Sequence, residues 1–182
     1  MKKIIIFLVF TLINISIFSK DTLRIGIYSG YFFPRDSMLT EIYKKEGVIY
    51  GFKLGVRVWK GLSLWLSGMQ YQKIAETIPL GDRTKLILNP IDLSIRYTFR
   101  LGRINPYVEG GYTYIFFKEL SDIGDVDSEG KGYSLDTGIE MKLASWFMID
   151  LGVKYSSVKV NPTGLEHDLG GFHAGIALLL TF

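Results

Sequence analysis

From Leu23 to the last residue the chain alternates apolar and polar side chains, in eight stretches separated by turn-forming residues. A two-residue period is the mark of a strand with unlike faces. It predicts strands near 23–33, 47–59, 62–73, 85–100, 106–118, 131–143, 147–159 and 169–182. Most run 11 to 14 residues, about twice the length usual in globular proteins. A tilted strand needs about 9–11 residues to cross a bilayer. Pro90 falls inside the fourth stretch and has no N–H to give a ladder, so a bulge or a locally opened edge is expected there.

The connections alternate too. Lys60-Gly61, Leu101 to Asn105 and Ala144 to Trp146 are short; Pro34–Glu46, Ile74–Thr84, Glu119–Gly130 and Val160–Asp168 are longer and polar. Short turns on one side and extended loops on the other are the habit of an outer-membrane barrel.

One face is apolar. The second stretch gives it Val48, Tyr50, Phe52, Leu54, Val56 and Val58, and the fourth gives Ile87, Ile91, Leu93, Ile95, Tyr97 and Phe99. The sixth to eighth continue with residues such as Leu135, Ile139, Leu151, Val153, Ile176, Leu178 and Leu180. The opposite face carries Lys53, Arg57, Asp92, Arg96, Glu109, Asp136, Glu140, Asp150, Lys154 and His173, among many glycines.

A soluble barrel would turn the apolar face inward, and three features favour the inverse. Glycines crowd the polar face, as a narrow lumen requires. Its charges nearly balance, and unpaired buried ions cost several kcal/mol. Aromatics gather at strand ends: Phe99, Tyr107, Trp146, Phe147 and Phe182 near the short turns, and Phe33, Tyr71, Phe116, Phe117, Tyr133, Tyr155 and Phe172 toward the long loops. Two such belts suit two bilayer interfaces. The expected fold is all-β, an eight-stranded antiparallel transmembrane up-and-down β-barrel.

Residues 1–19 read separately, as a signal peptide: Lys2 and Lys3, then an apolar run from Ile4 to Phe18, then Ser19. Residues 20–182 form the barrel domain. Cleavage removes two lysines and leaves 19 basic against 18 acidic residues, so charge gives no reason to expect a nucleic-acid partner. Without cysteine there is neither a disulfide framework nor a lipidation site.

The stretch PIDLSIRYTFRLGRINPYVEGGYTYIFFKE, Pro90–Glu119, resembles the middle of the outer-membrane β-barrel domain family, the small eight-stranded OmpA/OmpX-like barrels of Gram-negative bacteria. There a long strand ends in an aromatic, and a short turn and a PYVxxGxGY-like segment follow. The tail LGGFHAGIALLLTF is similar to the family's closing strand. Ile176, Leu178, Leu180 and the terminal Phe182 resemble the C-terminal signal that the barrel-assembly machinery reads. The resemblance implies an outer-membrane protein with both termini in the periplasm, handled by periplasmic chaperones and surrounded by outer-membrane lipid and lipopolysaccharide. A monomer is expected.

Eight strands enclose a lumen that side chains can fill. Lys53, Arg57, Asp92, Arg96, Glu109, Asp136, Glu140, Asp150 and Lys154 therefore read first as a structural plug, and alternatively as the lining of a narrow pore. Asp125 to Asp136 partly matches the spacing of a calcium loop, but no flanking helices are plausible, and an acidic solvated loop is the plainer reading. His167-Asp168, with Ser156 and Ser157 one strand away, raises a lipid-modifying enzyme; neighbouring side chains in an extended segment point apart, and His173 has no neighbouring serine. Basic residues near the long loops, such as Arg35, Lys73, Lys85, Lys118, Lys131 and Lys159, suit lipid phosphates or plain solvation. No cofactor, metal or catalytic residue is expected. The favoured role is non-catalytic: envelope stabilisation or presentation of surface loops.

Overall fold

A computed structural model of the chain describes residues 22–36, 40, 43, 46–76, 83–121, 124–160 and 167–182. The proposed signal peptide lies outside them. The strands are β1 (Leu23–Pro34), β2 (Gly47–Trp59), β3 (Leu62–Glu76), β4 (Arg83–Thr98), β5 (Ile104–Ser121), β6 (Val126–Lys142), β7 (Phe147–Val160), β8 (His167–Asp168) and β9 (Gly171–Thr181). β8 and β9 pair with β7 in one unbroken register, so they act as a single eighth strand.

Every long strand pairs antiparallel with its sequence neighbour, and β9 closes on β1, with Ile25 opposite Leu180 and Ile27 opposite Leu178. Closure matters because an open edge would leave backbone groups unpaired in hydrocarbon. The pairs from Arg24 run through Gly55, Trp65, Ser94, Gly111, Ser134, Ser156 and Gly171, then return to β1 at Pro34. That stagger from residue 24 to residue 34 fixes the strand tilt and the bore. Small residues dominate this ring, which leaves room for Trp65. At the β2–β3 turn Gly61 takes φ 80°, a left-handed conformation open to glycine.

Pro90 opens an edge without a bulge. The β3–β4 ladder passes from Gly68–Ile91 to Tyr71–Leu88 with no change of register, and Pro90 keeps its place opposite Ile115 on β5.

The apolar face points outward. Leu93 is 61% exposed, Leu135 60% and Ile27 67%, while Arg96 and Asp92 are buried. Lipid would cover these side chains; in water they would form an exposed apolar surface far larger than a soluble monomer carries.

The interior departs from the sequence expectation in two ways. Tyr71, Phe117 and Tyr107, assigned to the aromatic belts, point inward and are buried. Their parity decides this: Tyr107 and Phe117 share a strand face with Glu109 and Thr113. Charge also fills only part of the lumen. Toward the long loops, Phe32, Ile49, Leu86, Leu88, Ile115, Val158 and Val160 join Tyr71 and Phe117 in an apolar core. The strands explain it. β5 is 18 residues long and β6 is 17, more than the roughly 9–11 residues a bilayer crossing would take, and their ends toward the long loops build a core of their own. Tyr43, from the segment between β1 and β2, packs into that core and donates a hydrogen bond to Glu119 Oε1 at 2.6 Å. Burial, then the Glu119 carboxylate, raise its phenol pKa.

Candidate functional site

The strand register sets an electrostatic problem. On the inner face Glu109 lies opposite Asp136, and Glu140 lies opposite Asp150. Like charges directly across a ladder repel. Cations from elsewhere on the wall must reach between them.

Arg96 of β4 does so. It is fully buried, and its Nε donates to Glu109 Oε2 at 2.6 Å. Its Nη1 donates to Glu140 Oε1 at 2.9 Å and Asp150 Oδ2 at 3.0 Å. The guanidinium is sandwiched between two rings, 4.3 Å from the Trp65 centroid and 3.6 Å from that of Tyr107. Arginine suits this place because its plane stacks while its edge binds several oxygens. Arg24 reaches Glu140 at 2.7 Å from β1. Lys53 reaches Asp150 at 3.4 Å and Asp136 at 3.9 Å from β2. The Tyr107 hydroxyl lies 2.8 Å from Asp150 Oδ1 and 3.1 Å from Asp136 Oδ1.

A second cluster lies toward the long loops. Asp92 binds Lys154, accepts from Thr113 Oγ1 at 2.5 Å and accepts from Ser67 Oγ at 3.0 Å. His173 stacks near Phe32, with ring centroids 4.6 Å apart.

Of the nine proposed lumen charges, eight fall into these two clusters. Arg57 stands lower, lining a cavity at the short-turn end. Sequence reasoning missed Arg24, Trp65 and Tyr107 as members. Parity along β1 would have placed Arg24 with Gly26 and Tyr28, because each shares the inward face. Ile176, Leu178 and Leu180 face outward on β9, and Phe182 is exposed just past its end.

At Gly152 the glycine makes room for the charge cluster itself. A Cβ there would meet the Tyr107 hydroxyl at 2.4 Å and Asp136 Oδ1 at 3.0 Å. Gly152→Ala is expected to push Tyr107 off its carboxylates and cost about 1–3 kcal/mol, the usual range for overpacking. Urea unfolding of the variant in phospholipid vesicles measures this; an unchanged midpoint would show that Tyr107 has slack.

The other sequence candidates do not assemble. Val126 to Asp136, most of the supposed calcium loop, lies within β6, with Gly130 buried and Asp136 in the lumen. A strand cannot wrap its alternate residues around one ion. His167 Nδ1 sits 3.2 Å from Asp36, while Asp168 accepts from Ser157 Oγ at 2.9 Å. His173 does have a serine neighbour, contrary to expectation: Ser156 Oγ lies 3.5 Å from its Nε2. Both are buried inside the barrel, out of reach of a bilayer lipid. At the long-loop end Arg35 donates to the Tyr155 hydroxyl at 2.7 Å, and Lys118 pairs with Asp127 at 3.8 Å.

No family model matches the sequence, and no curated protein does. Solved structures share the fold. The outer membrane protein OprG from Pseudomonas aeruginosa superposes with a TM-score of 0.68 at 14% identity, covering 90% of this chain and 97% of that one. Neisserial surface protein A gives 0.64 at 17% identity, covering 88% and 97%. Ail, the attachment invasion locus protein of Yersinia pestis, solved in complex with the heparin analogue sucrose octasulfate, gives 0.53 at 13%, covering 87% and 99%. The chain is thus a closed, eight-stranded, antiparallel up-and-down β-barrel with the fold of the small outer-membrane barrels.

Proposed function

We propose that this is a non-catalytic integral outer-membrane protein of a Gram-negative-type bacterium, with its termini and short turns in the periplasm and its long loops outside. Its barrel stabilises the envelope and holds those loops as a binding surface. The observation that carries this is the filled lumen: a charge cluster knotted on Arg96, then an apolar core reaching to Tyr43. Ions would have to break buried pairs and then cross a hydrocarbon plug. The complex of Ail with a heparin analogue shows that a barrel of this shape accommodates ligand binding, although fold alone assigns no ligand.

The test is electrical. The mature chain, refolded into a planar bilayer with folding confirmed by circular dichroism, is expected to give no discrete current steps. Steps that change with Arg57→Ala or Arg96→Ala would overturn the plugged reading and make the charges a pore lining.

A further inference from the structure

The outer wall of the barrel is not evenly covered by side chains. Gly110 of β5 falls on the outward face between Val108 and Tyr112, opposite Leu135 of β6. Among the described residues, a Cβ there would meet Leu135 Cδ2 alone, at an ordinary 3.6 Å. Beside it lies a groove of about 390 Å³, bordered by Val108, Leu135, Thr137, Val153, Tyr155 and Phe172. The register assembles these walls in two rows. Val108 lies opposite Thr137 and Thr137 opposite Val153, while Leu135 lies opposite Tyr155 and Tyr155 opposite Phe172. Glu109 and Asp136 border the groove too, but Arg96 and Lys53 hold their carboxylates in the lumen. The volume falls within the roughly 300–1,000 Å³ of small-molecule sites.

A cation stands at one end of this groove. Just past β1, the backbone N–H of Arg35 donates to Gly170 O at 3.1 Å, which fixes it beside β9. Its exposed guanidinium donates from Nη1 to the hydroxyl of Tyr155, one wall of the groove, at 2.7 Å. Tyr155 in turn packs on Phe172, with ring centroids 5.1 Å apart. A phenol hydroxyl cancels none of the charge. The acids on either side are engaged elsewhere. Asp36 lies 3.2 Å from His167 Nδ1, and Asp168 accepts from Ser157 Oγ at 2.9 Å and from the N–H groups of Val158 and Gly170.

We infer that the groove holds one membrane lipid, with its phosphate on Arg35 and an acyl chain along the apolar walls. A cation fixed at the end of an apolar groove complements an amphiphile with an anionic head and a hydrocarbon tail. The guanidinium fork matches two phosphate oxygens, and basic side chains at a membrane surface draw anionic lipid. The acyl chain fills the space that Gly110 leaves, where an empty groove would forfeit dispersion contacts. The site rests on the membrane reading above and adds to it a lipid seated at a fixed place on the wall, apart from the loops.

The experiment uses the mature chain folded in a neutral maltoside detergent, with folding confirmed by circular dichroism. Native mass spectrometry counts the lipid each barrel retains. The probes are oleoyl lysophosphatidate and monooleoylglycerol, which carry the same chain with and without a phosphate. Saturation at one lysophosphatidate per barrel is expected, with monooleoylglycerol held about tenfold more weakly, the scale of one charge-assisted hydrogen bond. Arg35→Gln should erase that difference. Gly110→Leu, which fills the groove from an open position, should weaken both lipids alike. Should it not fold, Val153→Trp blocks the groove from the β7 side. Lys118→Gln removes an exposed cation already paired with Asp127 and should change neither lipid. Uptake without saturation, equal retention of the two lipids by the unaltered barrel, equal losses from Arg35→Gln and Lys118→Gln, or no effect of filling the groove overturns the proposal. So does displacement of the lipid by inorganic phosphate, which would make Arg35 a site for a solute. A chain that folds without detergent refutes the membrane reading itself; a barrel that folds in detergent and retains no lipid at this groove refutes this inference alone.

Discussion

Arg96→Met should be the most damaging single change in the lumen, costing about 3–5 kcal/mol, the usual penalty for removing one partner of a buried ion pair. Methionine keeps the volume and the contact with Trp65 and Tyr107 but leaves Glu109, Glu140 and Asp150 without their shared cation. Glu140 retains Arg24 and Asp150 retains Lys53. Among these three carboxylates Glu109 has its ion pair with Arg96 and its hydrogen bond from Ser94. The loss should therefore fall chiefly on Glu109. Glu109→Gln in the Arg96→Met background is expected to recover part of the stability, because it removes the stranded charge opposite Asp136. Urea unfolding in phospholipid vesicles, followed by tryptophan fluorescence, measures both. A loss below about 1 kcal/mol, as for exposed pairs, would mean that water enters the lumen and screens the cluster. Should Arg96→Met not fold, Arg96→Lys gives a milder form of the same test, since lysine keeps the charge and loses the fork.

The outward face was legible because the closed sheet turns every second residue of each strand outward. Val48 to Val58, Ile91 to Phe99 and Phe172 to Phe182 each show one face of unbroken apolar residues, and a period of two admits no other partition. Alternation cannot by itself say which face is inside. The glycines and balanced charges of the other face supplied that choice. The inner face was harder, because its residues answer to neighbours across the lumen. Arg96 and Asp150 are 54 residues apart in sequence and meet only after closure. Tyr107 looked like a belt residue because an aromatic near a turn is common at an interface; its parity with Glu109 argued otherwise. Tyr71 and Phe117 were misplaced for another reason. The expected strands stopped at 73 and 118, near the length of a membrane span, whereas β3 reaches Glu76 and β5 reaches Ser121. Strands longer than a bilayer crossing would need carry apolar residues on the inner face as well, and there the simple contrast between faces fails.

The outer face invites a test by depth. Leu93 lies between Leu66 of β3 and Tyr112 of β5, and it is 61% exposed. If hydrocarbon surrounds the barrel at this level, Leu93→Arg should cost about 2–4 kcal/mol, since a charge there must leave water for lipid. Leu101 is still more exposed, 74%, but sits in the β4–β5 turn. Leu101→Arg should cost only about 0–1 kcal/mol, the range near an interface. Exposure alone would predict the reverse order or no difference, so the contrast reads the medium and not the contact. Unfolding titrations of both variants in vesicles of one lipid composition give the two numbers. Equal and small costs would show that the apolar band does not lie in hydrocarbon. So would folding of the mature chain to a soluble monomer without lipid or detergent, because a barrel with Leu93, Ile95, Leu135 and Val153 on its outside needs an apolar solvent to be the stable state.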